Sequence, residues 1–299
     1  METTRNVKLE AVSSNQAISD AEQFRQRLHG MWSGVARAWG KHAAFIDERG
    51  ATVTDQMLAL AIPRPGERVL ELACGPGGVG LAAASHVGMT GHVMLSDIAV
   101  EMVSIAATRA EQLGLANVVA SVLDLEDIAQ PDNSFDVVFC REGLMLVQDP
   151  GRALQEIRRV LRPNGRLAFT VWGPRADNPW LNVIFEAMSV QVGAPMPPPG
   201  MPHPFSLDHT SKLANLMAGS GLSDVSISEL PTPYKAASAN EWWERCCALA
   251  GPMARKLASL PEEAQQALRT RACEAIYRYQ TKNGLEIPGV SLLVGARKA

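Results

Sequence analysis

Short apolar runs alternate with amphipathic stretches through the middle of the chain. The runs are typical of buried strands, and they cover residues 67–73, 91–96, 117–123, 135–140 and 166–172. Between them, apolar residues recur at helical spacing. Strands separated by helices in this way form βαβ units with parallel strands. The pattern therefore predicts a doubly wound α/β sheet.

The N-terminal part follows a different pattern. Residues 1–20 are polar and aperiodic, which is typical of a loose tail. Residues 24–39 carry apolar side chains at helical spacing, and the glycines among them leave both one long helix and several short ones open. A further helix is expected over residues 51–61. It should stop before Pro63, because the residue that precedes a proline avoids the α conformation.

After Trp172 the regular alternation ends. The proline-rich residues 193–204 fit neither a helix nor a central strand. Residues 232–285 are expected to be mostly helical. Two further helices and two further strands are expected, over residues 179–190, 208–218, 224–229 and 289–296.

Composition narrows the class of protein. The 299 residues are 46% hydrophobic and 20% charged with a net charge of -3, so we expect a folded core and no nucleic-acid partner. No apolar run reaches the ~18 residues of a membrane span, and the polar start carries no signal core. Five cysteines without C-x-x-C spacing predict reduced thiols, a cytoplasmic location and no metal site.

The strongest chemical signal follows the first predicted strand. A glycine-rich turn over residues 75–80 lets a ligand approach the backbone, and the next helix offers its free N–H groups. The same residues read G-x-G-x-x-G, and Asp97, which is also expected to cap the following helix, lies 22 residues past Gly75. That spacing is also typical of a dinucleotide site. The motif alone therefore predicts a nucleoside-type cofactor without choosing between cofactors.

Three features favour a nucleoside that carries a cationic amino-acid tail. Glu71 lies inside the strand, where its carboxylate would attract an ammonium group and repel a pyrophosphate. Asp124 follows the third strand, where it can accept a hydrogen bond from an adenine amino group. No tyrosine is followed four residues later by a lysine, so the chain lacks the Tyr-x-x-x-Lys pair that a short-chain dehydrogenase needs.

Five segments together resemble the class I S-adenosylmethionine-dependent methyltransferases. They are most similar to the branch that includes the ubiquinone/menaquinone-biosynthesis methyltransferases. The resemblance covers about residues 60–172, and it departs from the family pattern E-x-G-x-G-x-G at Ala73, where the pattern has its first glycine. The segments are residues 69–80, 95–102, 122–126, 134–140 and 161–165.

The resemblance implies an architecture and a set of ligands. We expect a Rossmann-like sheet of seven strands with the last strand antiparallel. Residues 1–60 should form an N-terminal tail and helical cap. Residues 61–299 should form a methyltransferase domain with helical lid inserts at 173–206 and 232–285. The implied cofactor is S-adenosylmethionine, with S-adenosylhomocysteine as its product, and the implied partner is a small-molecule acceptor. A homodimer is left open.

The resemblance also implies roles for residues around the methionine and ribose parts of the cofactor. Gly75, with the backbone of Ala73 and Cys74, would line the methionine part. Glu71 would orient its ammonium group, directly or through water. Asp97 would hold the ribose hydroxyls.

Further residues are implied around the adenine and the methyl group. Ile98 and Met102 would flank the adenine ring, and Asp124 and Leu125 would meet its edge. Arg141, just past the fourth strand, would lie where the methyl donor faces its acceptor.

Two tryptophans of the N-terminal segment, Trp32 and Trp39, are expected to cover the cofactor, because an aromatic face favours a sulfonium cation. Ordinary packing of the N-terminal helices is the alternative interpretation of both. His203 and His209, in or beside the proline-rich stretch, could serve as a base, but no catalytic residue is assigned.

The expected reaction is methyl transfer to a small hydrophobic metabolite, with oxygen favoured over carbon or nitrogen as the target. Alignment and desolvation would supply most of the rate. The hydrophobic acceptor is inferred from aromatic and methionine residues in the N-terminal cap and the two inserts. An NAD(P)-dependent oxidoreductase and a non-catalytic S-adenosylmethionine-binding protein are the alternatives. The aromatic and methionine residues in question are Trp32, Trp39, Trp180, Trp242, Trp243, Met188, Met196, Met201 and Met253.

Overall fold

A computed structural model describes residues 23–299, so the predicted loose tail lies outside the described residues. The helices are α1 (23–41), α2 (Ala43–Ala61), α3 (Gly78–Val87), α4 (Val100–Gln112), α5 (Pro150–Val160), α6 (Pro179–Val192), α7 (Thr210–Ala218), α8 (Ala239–Leu249), α9 (Pro252–Ala258) and α10 (Glu262–Ile276). The strands are β1 (Arg68–Leu72), β2 (His92–Asp97), β3 (Val118–Val122), β4 (Phe135–Arg141), β5 (Leu161–Trp172), β6 (Ser223–Pro231), β7 (Tyr234–Ala236), β8 (Gln280–Thr281), β9 (Gly284–Ile287) and β10 (Val290–Arg297).

Seven of these strands form one sheet in the order β3-β2-β1-β4-β5-β10-β6. The first five strands are parallel, and β10 runs antiparallel to both β5 and β6. The predicted doubly wound seven-strand sheet with its last strand antiparallel is therefore confirmed. Its strand order reverses at β1, which lies between β2 and β4. In open α/β sheets, ligands bind beyond the carboxyl ends of the strands at such a switch point.

The two faces of the sheet pack into separate cores, because side chains alternate along each strand. On β4, Val137 and Phe139 pack with helices α2 and α3, whereas Val138 and Cys140 face the larger core that includes α5 and α6. Burial on both faces explains why the strands are apolar throughout.

The N-terminal cap differs from the prediction. Residues 23–41 form one helix, and α2 begins at Ala43 rather than at residue 51. It ends at Ala61, before Pro63, as predicted. Gly50 lies inside α2, where an added Cβ would collide with the guanidinium of Arg141. Gly50 therefore leaves room for a tertiary contact with Arg141. Local sequence rules, by contrast, interpret a glycine at this position as a helix boundary.

The region over residues 232–285 was predicted to be helical, and this is only partly correct. It contains α8, α9 and α10, but β7, β8 and β9 form a second, three-stranded sheet in the order β7-β9-β8. These strands are two to four residues long, too short to show a period of two.

The turn predicted at residues 163–165 lies within β5, where the pairing of β5 with β4 is irregular. No helix among residues 23–299 combines the length and apolar character needed to cross a bilayer.

Candidate functional site

A cavity of about 810 Å³ lies at the carboxyl ends of the central parallel strands. Helices α1, α2, α6, α8 and α9, strand β7 and the proline-rich stretch also supply parts of its wall. Its volume is within the range of small-molecule sites, roughly 300–1,000 Å³. The structure brings together at this cavity every residue that was predicted to bind a cofactor, and their role as ligands stays a prediction. These residues are Trp32, Trp39, Glu71, Ala73, Cys74, Gly75, Asp97, Ile98, Met102, Asp124, Leu125 and Arg141.

The turn after β1 is built from alternate residues in the left-handed region. Ala73, Gly75 and Gly77 have φ values of 49°, 51° and 88°. The N–H of Cys74 donates to the carbonyl of Ser96 at 2.8 Å, which ties the turn to β2. Because glycine has no Cβ, the backbone at Gly75 is open to close approach by a ligand or a ring.

Ala73, the departure from the family pattern, has a steric partner. Its φ lies where alanine is disfavoured by about 1–2 kcal/mol. Its methyl group faces Gly143, where an added Cβ would lie 2.5 Å from the Cβ of Ala73 and 2.9 Å from Sγ of Cys140. The turn therefore accommodates an alanine because the residue opposite is a glycine.

Glu71 is buried in the crevice with 1% exposure. Its Oε1 accepts from the N–H of Val79 at 3.1 Å, and its Oε2 accepts from the N–H of Gly80 at 2.7 Å. The carboxylate thus meets the positive N-terminus of α3. Burial raises the pKa of Glu71 to about 7, although the nearby Arg141 acts to lower it. Two of the roughly four acceptor positions of the carboxylate are used, so it can still accept from a cationic ligand.

Asp97 links the turn after β1 to the start of α4. Its Oδ2 accepts from the N–H of Gly75 at 3.0 Å, and its Oδ1 accepts from the N–H of Ala99 at 3.0 Å. The prediction that Asp97 itself caps α4 was wrong, because the residue at the cap position is Ala99. Burial raises the pKa of Asp97, and the backbone hydrogen bonds act against that rise.

At the outer end of the crevice, Asp124 already has partners. Its Oδ1 accepts from the N–H of Glu126 at 2.8 Å, and its Oδ2 lies 3.0 Å from Nε of Arg25 on α1. The ion pair holds α1 across the carboxyl ends of β2 and β3. Sequence reasoning missed Arg25, since nothing local connects it with a carboxylate 99 positions away.

The two tryptophans of α1 lie over the turn. The rings of Trp32 and Trp39 meet edge to face, with centroids 5.7 Å apart. Cε3 of Trp39 lies 3.3 Å from the position that a Cβ on Gly75 would take. Its indole Nε1 is buried without a hydrogen-bond partner in the described part of the chain. Trp39 therefore both packs in the cap and covers the turn.

Arg141 and Glu142 end β4 inside the crevice. The guanidinium of Arg141 lies between Gly50 and Gly78, and its Nη1 donates to Oγ1 of Thr54 at 3.1 Å. Glu142 has a φ of 58° and lines the cavity beside it. Burial raises the pKa of Glu142, while Arg49 and Arg141 act to lower it.

Sequence reasoning expected Trp180 in the acceptor pocket but missed Arg49, at the far end of the cavity beyond β4. Here the guanidinium of Arg49 lies over three aromatic rings, with Cζ 4.7 Å from the centroid of Trp172, 4.2 Å from Trp180 and 5.1 Å from Tyr234. Arg49 belongs to the half of α2 that the pattern did not predict, and no motif contains it. Its aromatic neighbours come from segments that are distant along the chain.

The two candidate bases take different places. His203 lines the cavity, and its Nδ1 accepts from the N–H of Phe205 at 3.0 Å. The neutral ring therefore carries its proton on Nε2, and burial lowers its pKa, which favours the neutral form. In this form Nε2 can donate but cannot take up a proton. The side chain of His209 is 56% exposed, and its Nε2 lies 3.8 Å from Oδ1 of Asp208.

Within residues 23–299, no cluster of three or more His, Cys, Asp or Glu side chains is arranged to hold a metal ion.

Comparison with known proteins agrees with this geometry. Residues 63–182 match a family described as "Methyltransferase domain". The ubiquinone/menaquinone biosynthesis C-methyltransferase UbiE of Hydrogenovibrio crunogenus is 38% identical over 135 residues, which cover 45% of this chain and 48% of that protein. The chain thus spans about half the length of that curated relative.

Two solved structures show the same fold. The YcgJ protein of Bacillus subtilis aligns with a TM-score of 0.56 at 20% identity, over 82% of this chain and 97% of that one. Phosphoethanolamine N-methyltransferase 2 of Haemonchus contortus, in complex with phosphomonomethylethanolamine and S-adenosylhomocysteine, aligns with a TM-score of 0.51 at 20% identity, over 82% of this chain and 53% of that one. The predicted resemblance to the class I S-adenosylmethionine-dependent methyltransferases is confirmed.

We predict that Gly143→Ala lowers the free energy of unfolding by about 1–3 kcal/mol, because its Cβ would overpack against Ala73 and Cys140. Adding Ala73→Gly should recover part of that loss, which urea denaturation of the single and double variants measures. The control is Gly219→Ala, whose Cβ would lie 3.7 Å from its nearest neighbour and should change stability by less than about 0.5 kcal/mol. Strictly additive effects at residues 73 and 143 would contradict the steric pairing.

Proposed function

We propose that this chain, similar in fold and motifs to the class I methyltransferases, transfers a methyl group from S-adenosylmethionine to a small hydrophobic acceptor. The observation that carries the proposal is the pairing of Glu71 and Asp97 around the glycine turn, inside a cavity that continues past them to an apolar end. One part of the cavity has the charges for a nucleoside with an amino-acid tail. The other has space for a second molecule.

The sheet order gives the cofactor a direction. Asp124 follows β3, Asp97 is the last residue of β2 and Glu71 lies near the end of β1, and these three strands are neighbours in the sheet. Neighbouring strands lie about 4.8 Å apart, so the three carboxylates form a row roughly 10 Å long. In the proposed complex the adenine edge meets Asp124, the ribose hydroxyls meet Asp97 and the ammonium meets Glu71. A pyrophosphate in that row would face buried carboxylates, which favours this cofactor over a nicotinamide dinucleotide.

When bound, S-adenosylmethionine supplies a methyl group that is already activated by its sulfonium. The chain's own contribution is then to align the reactants and to exclude water, for which effective molarities of up to about 10⁵–10⁸ M are known. Trp39 covers the turn, and the proline-rich stretch covers the far end. His203 can donate a hydrogen bond from Nε2 that orients the acceptor, and no residue is assigned as a catalytic base.

The proposed reaction can methylate either an oxygen or a carbon atom of the acceptor. The curated relative is named a C-methyltransferase, whereas oxygen is the target expected from the sequence of this chain. NMR spectra of the products after incubation with S-adenosylmethionine and phenolic acceptors distinguish an O-methyl ether from a ring-methylated isomer, which has the same mass. The cytoplasmic location, the homodimer, and the domain division at residue 60 with its lid inserts stay predictions.

We predict that calorimetry will detect binding of S-adenosylhomocysteine and no binding of NAD. Binding of NAD alone would contradict the proposed function and would favour the oxidoreductase. Tight binding of S-adenosylhomocysteine without turnover of any acceptor in a metabolite extract would favour the non-catalytic alternative.

We predict that Asp97→Asn weakens S-adenosylhomocysteine binding by roughly 10- to 100-fold. The reason is that a charge-assisted hydrogen bond contributes about 1.5–3 kcal/mol. Calorimetry at fixed pH provides the measurement. Asp136→Asn is the matched control, because Asp136 pairs with Arg162 at 2.8 Å at the opposite ends of the strands and should leave the affinity unchanged. Equal affinities of Asp97→Asn and the unmodified chain would refute the ribose role.

We predict that S-adenosylhomocysteine binds more tightly as the pH rises towards 7. Burial raises the pKa of Glu71 to about 7, so the free protein holds this carboxyl protonated at lower pH, and an ammonium ligand requires the ionised form. Binding below that pKa should therefore release a proton, which calorimetry in buffers of different ionisation enthalpy detects. In Glu71→Gln the proton release should disappear; if it persists, another group is responsible.

A further inference from the structure

Arg49 is a buried cation, and two of its donor nitrogens lack partners in the described part of the chain. Two of its three nitrogens, Nε and Nη2, are buried and form no hydrogen bond within the described part of the chain. Within that same part, no carboxylate oxygen lies within 4.0 Å of its guanidinium, although Glu142 is near enough to act on its pKa. Burial lowers the pKa of Arg49, which reflects the loss of water around the charge.

The aromatic rings around Arg49 do not replace the missing acceptors. Trp172 and Trp180 meet edge to face at 5.0 Å, and Trp180 stacks on Tyr234 at 5.5 Å. Rings of this kind attract the face of a guanidinium. They offer no lone pairs to its N–H groups, which point outward in the plane of the guanidinium. A buried donor without an acceptor loses the hydrogen bond that water would give it, and this loss is larger when the donor is charged. All three rings and Arg49 line the cavity, so a ligand can provide the acceptor.

The position of Arg49 separates it from the proposed cofactor. Its neighbour Trp172 ends β5, and β4 lies between β5 and β1. The arginine that acts on Glu71 is Arg141, which lies against the start of α3. Arg49 therefore belongs to the part of the cavity that remains for the acceptor.

We propose, on the basis of the proposed function, that the acceptor carries an anionic oxygen, a carboxylate or a phenolate, on a hydrophobic skeleton, and that Arg49 binds it. The guanidinium presents Nε and Nη2 side by side, which suits two parallel hydrogen bonds to such a group. The aromatic rings hold the guanidinium plane in place, and the methionine and proline side chains of the cover contact the skeleton. Arg49 thus selects acidic over neutral acceptors.

The experiment titrates matched probes into protein saturated with S-adenosylhomocysteine. The probes are 4-nitrobenzoate, 4-nitrophenolate at alkaline pH and the neutral 4-nitrobenzyl alcohol. We expect at least one anion to bind roughly 10-fold or more tightly than the alcohol, as charge-assisted hydrogen bonds imply. The anion that shows this preference identifies the source of the oxygen. If neither anion binds more tightly than the alcohol, or neither binds at all, the proposal is wrong.

Variants then assign the preference to one side chain. Arg49→Gln should abolish it, and Arg49→Lys, which keeps the charge without the planar fork, should reduce it by a smaller factor. The matched control is Arg245→Gln: Arg245 stacks on Phe45 at 4.2 Å in the same aromatic cluster, but it pairs with Glu241 at 2.6 Å. This control should keep the preference. A preference that survives in both Arg49 variants would overturn the proposal.

The affinity for S-adenosylhomocysteine shows whether Arg49 binds the acceptor or the cofactor. It should stay within about twofold in the Arg49 variants, since Arg49 lies at the acceptor end. A large loss would mean that Arg49 binds the carboxylate of the cofactor, which would overturn the acceptor role. If the unmodified chain does not bind S-adenosylhomocysteine, the proposed function fails, and the same probes titrated into the free protein still report on anion binding by Arg49.

Discussion

Two carboxylates buried against backbone amides control the shape of the site. Glu71 accepts from the first turn of α3, and Asp97 accepts from the turn after β1 and from the start of α4. Each hydrogen bond to a charged group contributes about 1.5–3 kcal/mol, while removing an ion from water costs several kcal/mol. The raised pKa of Glu71, about 7, shows that desolvation outweighs the two hydrogen bonds in the free protein. A cationic ligand would reverse that balance, so the same residues that fix the backbone also favour a positive charge.

The cap closes the crevice through contacts that depend on this frame. Arg25 joins α1 to Asp124, and Trp39 rests on the glycine turn, which can receive a ring because Gly75 has no side chain. Arg141 occupies the space left by Gly50 on α2 and Gly78 on α3. The N-terminal helices are thus held by the charged groups and the glycines of the site itself. Cofactor binding and the position of the cap should therefore be coupled.

The far end of the cavity follows a different principle. It is built mainly of aromatic, methionine and proline side chains, which adapt to apolar ligands without directing them. A cation held in such surroundings without an ion-pair partner is costly, and residues that only stabilise a fold seldom occur in that form. In the proposed complex, Arg49 gives a hydrophobic acceptor an orientation at this end of the cavity.

Local sequence determined the parallel sheet, because buried strands and amphipathic helices each have a period that can be seen along the chain. It also placed Glu71, Gly75 and Asp97 together, because they lie at or just beyond the carboxyl ends of two predicted neighbouring strands. Tertiary structure alone decided the rest. Gly143 leaves space for the methyl group of Ala73, 70 positions earlier in the chain, and Gly50 leaves space for the guanidinium of Arg141. Arg49 contacts aromatic rings from three separate segments. Such contacts have no periodic signal, since they depend on how elements distant in sequence pack against each other.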